Sequence, residues 1–115
     1  MQATIIPAKF YLANGASQND LQALCERIGG YCLRTASRGA IVQVTGHPAV
    51  SVEQLLTAVS SLGDVGCPEG FKLAWVSTHP DMYETLVQTE HAGARSGIAA
   101  RAFLDEHNAQ NWLSQ

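Results

Sequence analysis

Apolar and polar positions alternate with two different periods along the chain, and the switches between them divide it into eight elements. AKFYLA, residues 8–13, has the short, aromatic character of a strand and stops at Asn14-Gly15, a turn dipeptide. Leu21, Leu24, Cys25 and Ile28 then recur at helical spacing. Ser17 with Asp20 three residues on resembles a capping box that opens this helix, and Gly29-Gly30 is expected to close it. Residues 31–38 read as a connection. AIVQVT, residues 40–45, is a β-branched strand that ends at the Gly46-His47-Pro48 turn. Ser51 with Gln54 opens a second helix, whose stripe is Val52, Leu55, Leu56, Val59 and Leu62.

The same alternation continues to the C-terminus. FKLAWVS, residues 71–77, is a third strand. Pro80 suits a first helical position and Asp81 suits the positive end of a helix, so Thr78-His79-Pro80-Asp81 starts a third helix with Met82, Leu86 and Val87 inward. IAARAFL, residues 98–104, is a fourth strand. Asp105 caps a last helix that buries Ala109, Trp112 and Leu113. The order βαβαβαβα favours parallel neighbours joined by right-handed crossovers. The second and third strands are nearly continuous apolar runs, as strands covered on both faces are. MQATIIP, residues 1–7, is expected to add an antiparallel edge strand. The fold class is therefore α/β, with a mostly parallel four- to five-stranded mixed sheet and about four helices, in one domain over residues 1–115.

Composition narrows the function more by exclusion than by assignment. Apolar residues make up 46% of the 115 and charged residues 15%, the reverse of a disordered chain. A net charge of −3 with seven scattered Lys and Arg argues against a nucleic-acid interface, which needs a basic patch. No apolar run approaches the roughly 18 residues of a transmembrane span. The N-terminus lacks the charged and apolar regions of a secretory signal. Three cysteines, an odd number, fit a reducing compartment better than a disulfide framework, so a cytoplasmic location is expected.

Candidate chemistry is sparse. Glycine-rich phosphate loops, nucleophile elbows and close Cys or His pairs are all missing, so no cofactor and no metal are expected. Cys25 lies on a helical stripe as a small core hydrophobe, whereas Cys67 sits in a Gly/Pro loop that would leave it exposed and oxidisable. Trp75 and Trp112 read as core anchors. His47 and His79 each follow a strand and precede a helix. Open α/β sheets bind ligands at the carboxyl ends of their strands, where helix N-termini present N–H groups. Thr45, His47, Ser51, Ser77, Thr78, His79 and Asp81 would gather on that edge as a candidate ligand-binding set. The competing reading makes Ser51, Thr78 and Asp81 helix caps and the histidines turn residues. Catalysis there would require a hydroxyl or thiol, from Ser51 or Cys67, beside an imidazole.

The segment from Phe71 to Leu113 resembles the C-terminal half of the SpoIIAA-like proteins. The elements that carry the likeness are the apolar strand at Leu73 to Val76, the Arg-x-Phe element at Arg101 to Phe103, and the helix bearing Ala109, Trp112 and Leu113. The whole element order is similar to the STAS (anti-anti-sigma-like) architecture. The resemblance implies a bacterial α/β sandwich with helices mainly on one face and a non-catalytic regulatory or interaction function, with a protein partner or self-association, including a homodimer. It also implies that RAFLDEHNAQNWL is structural. Members of the family are switched by phosphorylation of a serine at the start of the second helix. Ser51 falls near that turn within Val50-Ser51-Val52-Glu53, where the family's paired serine and glycine are absent. The alternative function is a small anionic or lipidic ligand bound in the strand-end crevice near His47, Ser51 and His79.

Overall fold

A computed structural model describes residues 8–93 and 97–115. Its elements run β1 (Ala8–Leu12), α1 (Gln18–Thr35), β2 (Gly39–Val44), α2 (Val52–Ser61), β3 (Lys72–Val76), α3 (Pro80–Gly93), β4 (Ala99–Phe103) and α4 (Glu106–Leu113). The sheet order is β1-β2-β3-β4 and every pairing is parallel. The described residues thus form an α/β fold with four strands and four helices. The antiparallel strand expected over residues 1–7 lies outside the described residues.

The layering follows from chain topology. Each crossover moves one strand in the same direction, and right-handed crossovers then place α1, α2 and α3 on the same face. Strand alternation serves that face with Leu12, Ala40, Val42, Val44, Leu73, Trp75, Ala100 and Ala102, which form the main core with Leu24, Ile28, Leu55, Val59, Met82 and Leu86. α4 has no following strand to reach and takes the opposite face. There Ile41, Ala74, Val76 and Ala109 form a smaller core, flanked by Phe103, Trp112 and Leu113. This two-sided cover explains the continuous apolar runs of β2 and β3.

Local signals behave as physical chemistry requires at three of the helix starts. Ser17 and Asp20 form a complete capping box, and so do Ser51 and Gln54. Asp105 caps α4 by accepting from the Asn108 N–H at 2.8 Å. Within the RAFLDEHNAQNWL stretch, Phe103 packs on Trp112 with ring centroids 5.7 Å apart, and Arg101 lies over Phe103. Lys72 reaches the end of α4, donating to the Trp112 and Gln115 carbonyls at 3.3 and 3.0 Å. A cation suits the negative end of a helix.

Two expectations are corrected. α1 does not stop at Gly29-Gly30 but continues to Thr35, ending where Ala36 takes a left-handed conformation (φ 54°). Tertiary packing overrides the glycine signal. Gly29 lies against the loop after α2, so closely that a Cβ there would sit 2.6 Å from Val65 Cγ2 and 2.7 Å from the Val65 carbonyl carbon. Opposite it, Gly66 (φ 122°) leaves room for the Gly29 carbonyl and Leu33. Cys67, in turn, is buried rather than exposed, with its Sγ 3.6 Å from that of Cys32. Burial pushes the Cys67 thiol up to about 12, with further upward contributions from Cys32 and Cys25. Cys25 is pushed up to about 11, again chiefly by burial.

Candidate functional site

The carboxyl end of the sheet is assembled from the loops that leave β1, β2 and β3. The first two are joined directly. Asn14 accepts the His47 N–H on Oδ1 at 2.8 Å, Gly15 N–H donates to the His47 carbonyl at 3.3 Å, and Ala49 N–H donates to the Ala16 carbonyl at 2.8 Å. Gly46 turns the chain with φ 61°, and a Cβ there would stand 2.8 Å from Asn14 Cγ. Thr45 N–H continues the ladder to Leu12, and Ser77 N–H continues it to Phe103.

His47 and His79 meet on this edge. Their rings lie 5.6 Å apart, nearly perpendicular at 83°. The surrounding backbone sets opposite roles for Nδ1 on the two rings. His47 Nδ1 faces the Pro48 carbonyl at 3.1 Å, which can only accept, so Nδ1 is the donor. His79 Nδ1 accepts the Met82 N–H at 3.3 Å and thereby caps α3, which places the proton on Nε2. Ser77 is fully buried, and its hydroxyl accepts the His79 N–H at 3.2 Å.

The other candidates have different places. Ser51 Oγ accepts the Gln54 N–H at 3.2 Å, and the Gln54 amide reaches Gln18 at 3.1 Å, tying α2 to α1. Thr45 is exposed where it leaves β2, and Thr78 and Asp81 are exposed around the start of α3. The structure thus brings together His47, His79 and Ser77, while Ser51 serves its helix and the Cys67 thiol meets Cys32 instead of a histidine. Asn14 is a residue that sequence reasoning took only for a turn former. Its role depends on a partner 33 positions away, which no local signal carries.

Among the described residues, two of the concavities lie away from His47 and His79. The larger, about 990 Å3, is a groove along the outer edge of β1 beside α1, lined in part by Phe10, Tyr11, Ala23, Arg27, Tyr31 and Arg34. The second, about 550 Å3, lies between α3, β4 and α4, with Tyr83, Glu90, Arg101 and Trp112 on its walls. The two sheet edges differ. At β4, Glu90 accepts the Ala102 N–H at 2.8 Å and so blunts the edge with a side chain. At β1, nothing among the described residues pairs with the outer side, and Tyr11 is 62% exposed.

Among the described residues, no helix is long and apolar enough to cross a membrane, and no cluster of three metal-binding side chains occurs. Comparison with known proteins adds no further constraint, since no family model, curated protein or solved structure matches the chain.

Proposed function

We propose that this chain is a non-catalytic interaction or regulatory domain of SpoIIAA-like type that binds a protein along the β1 edge. The single observation that carries this reading is the asymmetry of the sheet. One edge strand is blunted by Glu90, while among the described residues no strand pairs with the outer side of the other, which runs beside a groove with an exposed tyrosine. An open edge is a template for an added strand: its backbone groups supply affinity and flanking pockets supply specificity. The packing of Phe103 on Trp112 supports the SpoIIAA-like assignment, because that likeness requires those residues as structural anchors. The test is a photo-crosslinking residue placed at Tyr11 or, as a control, at Arg101, with irradiation in the native host cells. Protein adducts at position 11 and none at 101 are expected. An absence of protein adducts at 11 would overturn the reading.

The contact between His47 and His79 favours a second reading, a small anionic or lipidic ligand at the strand ends. The His79 Nε2–H and the N-terminus of α3 would donate to an anion there. Titration with inorganic phosphate, followed by the imidazole carbon-bound proton signals, tests it. Saturable shifts at both histidines support the ligand reading, and unchanged signals remove it.

A further inference from the structure

We propose that Cys32 and Cys67 are an oxidation site, at which a peroxide joins the two sulfurs in a disulfide that ties the last turns of α1 to the loop between α2 and β3. Cys25 stays a free thiol. The site does not depend on what binds the β1 edge.

Contacts on one face of α1 bring the two thiols together. Gly29 lets the backbone at Val65 approach, and Gly66 leaves room for Leu33. Cys32 lies on the same face, three residues after Gly29, and its Sγ stands 3.6 Å from that of Cys67. Two glycines thus hold the backbones at contact distance, and the sulfurs need to close by only about 1.5 Å to bond. Cys67 lies outside both α2 and β3. Its loop is built from its own turn bonds: Val65 and Cys67 N–H donate to the Leu62 carbonyl, and Phe71 N–H donates to the Pro68 carbonyl. Such a loop can take up the shift without breaking a helix or a strand ladder. Cys25 is no competitor for Cys32. Seven residues along one helix separate them by about 10 Å, beyond the reach of a disulfide. The Cys25 Sγ is turned toward α2 instead, 3.8 Å from the Ala58 carbonyl.

The two sulfurs have different roles in the reaction. Burial raises both thiols, but the contact between them acts in opposite directions: it lowers Cys32 and raises Cys67 further, to about 12. Cys32 is therefore the sulfur that ionises more readily. Its thiolate attacks one peroxide oxygen, the O–O bond breaks, and a sulfenic acid forms on Cys32. The departing hydroxide takes up the proton that Cys32 released and leaves as water. The Cys67 sulfur then attacks the Cys32 sulfur, the S–O bond breaks, and a second water leaves with the Cys67 proton. Together the thiols lose two electrons and two protons, and the peroxide becomes two waters. Cys32 and Cys67 are only 3% and 6% exposed, so the reaction waits on local opening of the loop and is slow.

The test treats the folded, fully reduced chain with hydrogen peroxide, then quenches, denatures and alkylates it for peptide mapping. Trypsin cleaves after Lys9, Arg27, Arg34, Arg38 and Lys72, which puts Cys25, Cys32 and Cys67 on separate peptides. The monomer is expected to lose about 2 Da, with one bond joining peptides 28–34 and 39–72 and alkylation confined to Cys25. A loop closed across 35 positions is expected to raise Tm by roughly 10 °C, and dithiothreitol is expected to reverse the rise. Cys25→Ala is expected to keep the bond, and Cys67→Ala to abolish both the mass loss and the Tm rise. Three alkylated cysteines, a bond that includes Cys25, or sulfinic or sulfonic acid on Cys32 or Cys67 in place of the bond would overturn the proposal. So would a bond that leaves Tm unchanged or lowered, because the sulfurs would then have met only in a distorted chain.

Discussion

Gly29 and Gly30 are adjacent in the same helix and are predicted to respond in opposite directions to the same substitution. In a helix interior, alanine is more favourable than glycine by about 1 kcal/mol, because glycine loses more backbone freedom on folding. At Gly30, an added Cβ meets only the Arg34 guanidinium, at 3.5 Å, which is ordinary contact. Gly30→Ala is therefore expected to stabilise the fold by ~0.5–1 kcal/mol. At Gly29 the added Cβ falls 2.6 Å from Val65 Cγ2 and 2.7 Å from the Val65 carbonyl carbon. Backbone cannot rotate away as a side chain can, so the loop after α2 must move. The neighbouring hydrogen bonds from Val65 N–H and Cys67 N–H to the Leu62 carbonyl must strain with it. Overpacking of this kind costs about 1–3 kcal/mol, and a backbone obstacle places the cost at the upper end. After the propensity gain, Gly29→Ala is expected to destabilise by ~2 kcal/mol, which separates the two variants by ~3 kcal/mol. Urea unfolding followed by far-ultraviolet circular dichroism measures both, with the m-value as a check that only stability has changed. In thermal scans the separation corresponds to about 10 °C. If Gly29→Ala stabilises as Gly30→Ala does, the account of why α1 runs past its glycines is wrong.

Three other predictions follow from single features. Ala36 holds a left-handed conformation that costs a residue with a Cβ, so Ala36→Gly is expected to raise stability by ~0.5–1 kcal/mol in the same urea assay. Hydrogen bonds from the Ser17 N–H, and then from its hydroxyl, hold the Asp20 carboxyl below its ordinary value of 3.8. A depressed carboxyl stabilises the fold above that value and loses its contribution as pH falls below it. The stability gap between wild type and Asp20→Asn is therefore expected to be full at neutral pH and to shrink below pH 3.8. The buried thiols act at the other extreme: Cys25 and Cys67 are raised from 9.0 to about 11 and about 12. Their contribution is complete below pH 9 and is lost as pH rises toward those values. Cys25→Ala is expected to unfold less steeply with pH between 9 and 11 than wild type. Equal slopes would show that the Cys25 thiol is not the titrating group.

Local rules account for the elements of this protein, and contacts between distant residues account for its candidate site. The capping boxes at Ser17 and Ser51, the Asp105 cap, the helical spacing of Leu21, Leu24 and Ile28 and the β-branched run of β2 are all settled within a few residues, so sequence alone determined them. The repeated βα order determined a parallel sheet as well, because a helix between two strands leaves little other choice. The length of α1 was decided elsewhere, at a loop more than thirty residues away, where Gly29 and Gly66 let two backbones approach. The burial of Cys67 against Cys32 was decided in the same region. The meeting of His47 with His79 and the anchoring of the first turn by Asn14 depend on strand order and register. So does the contrast between an edge blunted by Glu90 and an edge at Tyr11 that no described strand pairs. Hydrogen bonds within one turn of helix can be read from neighbours in sequence. Which edge faces outward, and which side chains share it, exists only once the strands have been laid side by side.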